Sequence, residues 1–262
     1  MVFKKLLQAL GVGGPSIETV LSNPNVRPGE TLQGNITILG GDHQTDIQGI
    51  SLALVTEVEW EAGDSEGHTT HEFAEVQVSG PFQLLPGARH ELPFSMQVPW
   101  EVPITHMYGQ PLRGMVMGLS TRLAVAKAID ATDLDPVAIH PLPAQERLLE
   151  AFVRLGFEFR SADVEEGRIY GVHQTLPFYQ EIEFYPAPQY RSAMNQLEVT
   201  FVAYPNSMVM VLELDKRGGL LTEGHDAFGS FTIDYATVDQ INWEQQLDDW
   251  LRESCKRRGL FF

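Results

Sequence analysis

His68 and His71 stand three residues apart beside Glu66 and Glu72, the residue set in this chain best suited to holding a metal. Imidazole and carboxylate are both ordinary zinc ligands. The order His68-Thr69-Thr70-His71-Glu72 differs from the helical zinc-protease pattern, which sets the glutamate between its histidines, and the Ser-Gly-Thr surroundings lack helical organisation. A solvated acidic loop is the simpler reading, and a metal-dependent or small-molecule enzyme using His68 and His71 is the alternative. Glu181 and Glu183 share one strand face, and glycoside hydrolysis commonly needs two carboxylates. Spacing along one strand does not set them across a substrate, whereas outward charges on an edge strand discourage unwanted pairing.

Other chemistry is excluded residue by residue. Ser120 and Ser161 lack a nucleophile-elbow context, and Cys255, beside the basic run Lys256 to Arg258, has no adjacent histidine. Gly11, Gly13 and Gly14 precede Pro15 rather than a strand-to-helix turn, and no Gly-x-x-x-x-Gly-Lys-Ser/Thr run occurs. The chain therefore presents no catalytic constellation and no cofactor motif.

Residues suited to holding a protein partner are easier to find. Lys216 and Arg217, beside Gly218-Gly219, can hold an acidic segment at a strand end, arginine gripping a carboxylate with two bonds. An ion pair within the chain is the plainer alternative. The acidic run Glu57, Glu59, Glu61, Asp64 and Glu66, continuing to Glu72 and Glu75 without a lysine or arginine between, would draw a basic partner by its field. Trp243, Leu247 and Trp250, with the tail residues Phe261 and Phe262, offer apolar anchors, either for packing on their own domain or for a partner or second copy.

The formal charge of −17, from 35 acidic and 18 basic residues, argues against general affinity for nucleic acid or anionic membrane. One cysteine allows no internal disulfide, which fits a reducing cytoplasm. Residues 1–13 combine Lys4 and Lys5 with Phe3 and Leu6 in a short amphipathic helix without an Ala-x-Ala cleavage signal. That helix would dock onto its own domain, with peripheral membrane contact as the alternative.

The elements that must position these groups are mostly strands. Pro28-Gly29 turns the chain into an alternating run in which Leu32, Gly34, Ile36 and Ile38 share one face. Ser16 to Leu21 and Asp46 to Trp60 repeat that grammar, short strands follow at Phe73 to Val78, Phe82 to Leu85 and His90 to Val98, and Arg113 to Lys127 forms a strand pair or one long bent strand. Pro143 to Leu155 predicts a helix with Leu148, Leu149 and Phe152 on one side and Gly156 beyond its end. Leu197 to Tyr204 and Met208 to Leu214 predict a hairpin, Phe228 to Tyr235 a last strand, and Thr237 with Gln240 a capping box for a terminal helix. The expected organisation is an N-terminal helix (1–13), a β-sandwich (14–131), a second β-sandwich (132–236) including the helix at 143–155, and a terminal helix with tail (237–262).

With those elements placed, the chain resembles bacterial sporulation-control proteins. The resemblance rests on Val26 to Leu39 followed by Gly40, Gly41, Gln44 and Ile47 to Val55. It continues through the helix with Leu148, Leu149 and Phe152, then Leu176-Pro177-Phe178, Gln180-Glu181 and Glu183-Phe184. Leu197-Glu198-Val199 and Leu212-Glu213-Leu214-Asp215 complete the series. It implies a mainly β fold of two arrestin-like sandwiches and a non-enzymatic cytoplasmic regulatory or scaffold protein. It also implies protein partners linked to development or division, and self-association as a homodimer.

Overall fold

The computed structural model describes residues 13–62, 65–216 and 227–256. The helix expected over residues 1–13 (apart from Gly13), Asp64, Arg217, Phe261 and Phe262 lie outside the described residues. In chain order the strands begin with β1 (Ser16–Leu21), β2 (Asn25–Val26), β3 (Thr31–Leu39), β4 (Thr45–Ala62) and β5 (Ser65–Ser79). There follow β6 (Phe82–Leu84), β7 (Arg89–Gln97), β8 (His106–Met107), β9 (Gln110–Pro111), β10 (Met117–Val125), β11 (Ala131–Pro136) and β12 (Ala138–Ile139). Helix α1 (Pro143–Leu155) leads into β13 (Glu158–Glu166), β14 (Phe178–Tyr185), β15 (Met194–Ala203), β16 (Ser207–Lys216) and β17 (Ala227–Asp234). A 3-10 turn at Val238–Gln240 precedes helix α2 (Trp243–Lys256).

The chain divides into two compact units. The first contains the described residues up to Glu57, His68–Pro99 and Val116–Ile139; the second contains Val58–Gly67, Trp100–Met115 and His140 onward. The single sequence boundary expected at 131/132 thus gives way to interleaved segments, because β4 and β5 run on well past the residues that pair in the first unit.

In the first unit β3 lies between β1 and β7, antiparallel to both. The turn that aims β3 is the expected one: Gly29 sits at φ +77°, which a residue with a Cβ rarely adopts, and Glu30 N–H donates to Arg27 O at 3.0 Å. Leu32, Ile36 and Ile38 are fully buried, as are Ile50 and Leu54 of β4 and Leu119 and Leu123 of β10. Strand β10 pairs with both β4 and β11. The hydroxyls of Thr19 on β1 and Thr121 on β10 hydrogen-bond at 2.7 Å, and Thr19 N–H donates to the Asp133 carboxylate at 2.7 Å. These bonds tie the edge of one sheet to the other with buried polar groups that are satisfied.

The second unit is an antiparallel run β13–β14–β15–β16–β17. Phe178, Ile182 and Phe184 of β14, Leu197 and Val199 of β15, and Leu212 and Leu214 of β16 are buried on one side of it. Helix α1 forms over the residues expected. Its Leu142 N–H donates to the Gln145 side chain at 2.8 Å, and Gly156 ends it with N–H to Val153 O at 2.9 Å. Phe152 on α1 meets Phe184 at a ring-centroid separation of 5.7 Å and stands edge-on to Phe157 at 5.9 Å. Gln180, buried on the same side, is matched to one backbone residue: Ile104 N–H donates to its Oε1 at 2.9 Å and its Nε2 donates to Ile104 O at 2.8 Å.

Candidate functional site

The acidic run expected as a solvated loop is two strands, since β4 extends to Ala62, β5 begins at Ser65, and the two pair. Two glycines and seven acidic residues mimic a loop in sequence, but Val58 and Phe73 of the same run are buried, which gives the hairpin a covered side. His68 and His71 fall in β5 at an odd spacing, so they point to opposite faces of the strand and cannot close on one ion while it stays extended. Glu72 and Glu75 are answered from outside the run: Arg122 of β10 approaches them at 3.2 and 3.8 Å. Glu57 is exposed, and Glu59 lies in register with Glu165 of β13. The side chains of Glu61 and Glu66 lie outside the described set, and the backbone of Lys216 ends β16.

The aromatic side of the terminal helix turns inward. Trp243 is 1% exposed and its Nε1–H donates to Val238 O at 2.8 Å, while Leu247 is fully buried. Trp250 stands edge-on to Phe231 of β17 at 5.8 Å, and a Cβ on Gly229 would lie 2.3 Å from its ring. Helix α2 begins at Trp243 rather than Thr237, its Asn242 side chain accepting the Gln245 N–H at 3.2 Å. Glu244 joins the helices by accepting from Arg147 at 3.1 Å and from Arg154 at 2.9 Å. The Arg147 bond, first, and the Arg154 bond help hold the Glu244 carboxyl down at about 2.

The structure also assembles a carboxylate face from residues scattered along the sequence. Strand β14 is interior, between β13 and β15, so Glu181 and Glu183 are not edge charges. Registry places Glu183 opposite Ser161 on one side and Glu198 on the other, with Glu198 in turn opposite Glu213. Asp163 lies opposite Glu181. Carboxylate oxygens of Asp163, Glu165 and Glu181 lie within 4.8 Å of one another, as do those of Glu181, Glu198 and Glu213. Neither group includes a histidine, so neither takes up the alternative built on His68 and His71. Burial, then the neighbouring carboxylates, push Asp163 up to about 7 and Glu181 up to about 8. Tyr179 is raised to about 12 for the same reasons. The signal in the sequence was the alternation Leu-Glu-Val and Leu-Glu-Leu, which sends every glutamate of β15 and β16 to the face opposite the core.

Comparison with known proteins adds what geometry alone does not carry. The family model described as SpoOM protein matches residues 3–218. The chain belongs to that family. The sporulation-control protein Spo0M of Bacillus subtilis (strain 168) is 32% identical over 216 residues, covering 82% of this chain and 81% of the relative. The crystal structure of Spo0M from Bacillus subtilis superposes with a TM-score of 0.81 at 26% identity, covering 93% of this chain and all of that one. The expected class, mainly β with two arrestin-like sandwich domains and helices at the start of the second and near the C-terminus, holds for this SpoOM family member. In the second domain α1 supplies apolar cover for the sheet. Among the described residues no helix is long and apolar enough to cross a membrane.

Proposed function

We propose that the protein is a non-enzymatic cytoplasmic regulatory or scaffold protein that acts by binding protein partners. The observation that carries this reading is the likeness over nearly the whole chain to a protein designated for sporulation control, in fold as well as in sequence. The acidic surface and the sheet edges favour a partner that is basic or that adds a strand. Among the described residues β17 pairs on one side only, with β16, and Phe228 on it is 66% exposed. Homodimerisation through such an edge belongs to the same reading.

Lys216 and Arg217, with Phe261 and Phe262, are the positions at which to interrupt partner binding. Tagged full-length protein should recover a defined partner, which is then purified and shown to bind directly. Binding should weaken at least about tenfold, on the order of 1.4 kcal/mol, in a Lys216→Glu/Arg217→Glu variant. Enrichment no greater than that of a matched acidic control overturns the reading. Sedimentation equilibrium over a range of concentrations tests the homodimer separately.

A further inference from the structure

Across the second unit, carboxylates stand in register on adjacent strands, an arrangement that destabilises a sheet when every member is charged. Donors gather at the flank of the group, on Glu183 and Glu198. Ser161 donates to Glu183, Arg160 approaches Glu183 at 3.3 Å, and Gln196 donates to Glu198. Asp215, further along β16, accepts from Asn195 at 3.0 Å. Asp163, directly opposite Glu181, has a buried Oδ1 with no hydrogen-bond partner among the described residues. A buried carboxylate oxygen without a donor is costly when ionised and tolerable when the carboxyl carries a proton that it or its neighbour can share.

The charged groups facing this pair come from each neighbouring strand: Glu59 on β4, Glu165 on β13, Glu183 on β14, Glu198 on β15 and Glu213 on β16. Arg160 approaches Glu183 of this group rather than the central pair. We propose that this face is a proton-holding device: at neutral pH Asp163 and Glu181 share a proton across β13 and β14, and its removal loosens the second unit's sheet. The direction follows from linkage. In an unfolded chain both acids ionise near pH ~4, whereas in the fold they hold protons up to about 7 and about 8. Between those limits the folded chain binds more protons than the unfolded chain, so stability falls as pH rises. The two groups release their protons as a pair.

The test uses full-length protein freed of divalent ions by a chelator. Carboxyl-carbon NMR across the range should show at least one carboxyl of the Asp163–Glu181 pair titrating about 2 units or more above an ordinary carboxylate. The urea midpoint should fall as pH rises through neutrality. Glu181→Gln, which keeps the shape and removes the titrating group, should flatten that fall, because the proton that Glu181 holds highest is then absent at every pH. A role in packing alone would lower the urea midpoint equally at every pH. The proposal is overturned if both carboxyls titrate below about pH 5, or if the two proteins give parallel stability profiles. Should Glu181→Gln fail to fold, the titration of the unaltered protein decides.

Discussion

The two faces of β14 differ in what they do with polar groups. On one face Phe178, Ile182 and Phe184 pack into the core and the single amide, Gln180, exchanges two hydrogen bonds with Ile104. On the other, Glu181 and Glu183 meet carboxylates from the strands on both sides. A buried neutral group can be satisfied locally by one backbone residue, while like charges in register need a proton, a cation or donors such as Ser161 and Gln196. The apolar face fixes the register, and the acidic face must accept the juxtapositions that result.

That contrast predicts opposite signs for substitutions on the apolar and the acidic face. The largest loss is expected from Phe184→Ala, which removes a fully buried ring from its contacts with Phe152 and Phe159 and should cost about 3–5 kcal/mol by chemical denaturation. Gln180→Leu leaves the buried Ile104 N–H and C=O without this partner and should cost about 1–3 kcal/mol. Gly229→Ala drives a methyl group into Trp250 and should cost about 1–2 kcal/mol, with a change in near-ultraviolet dichroism from the displaced indole. Glu244→Gln should cost less than about 1 kcal/mol at pH 7 because its ion pairs are partly wet. Its depressed carboxyl stabilises the fold above the ordinary glutamate range, so the unaltered protein should lose that increment as pH falls toward 2, and the variant should not. Smallest, and opposite in sign, Glu213→Gln should raise stability at pH 8 by about 0.5 kcal/mol by removing one like charge from the row. A loss there would erase the distinction between the faces.

Much of this fold is legible in sequence where one side of an element is dry. The residues of α1 are defined by Pro143, the Leu148–Leu149–Phe152 stripe and Gly156, and the hairpin of β15 and β16 by its two alternating runs. Legibility fails where acidic residues crowd out the alternation: Glu57 to Glu75 has the composition of a loop but forms β4 and β5, with Val58 and Phe73 buried. It also fails where meaning depends on register. Glu198 and Glu213 are visible as polar members of apolar strands, yet nothing along the chain says that they stand opposite each other, or that Asp163 faces Glu181. The terminal helix was readable as amphipathic, but a stripe of Trp243, Leu247 and Trp250 reads alike whether it meets a partner or its own sheet.

The inward placement of those indoles gives the second unit a built-in optical label. Trp243, sealed from solvent and hydrogen-bonded through its ring nitrogen, should emit at short wavelength and resist collisional quenching, while Trp250 reports on the glycine notch in β17. With Trp60 and Trp100 replaced by Phe, release of α2 would therefore appear as a red shift and a gain in quenching, a signal that follows docking of the helix in real time without any attached dye.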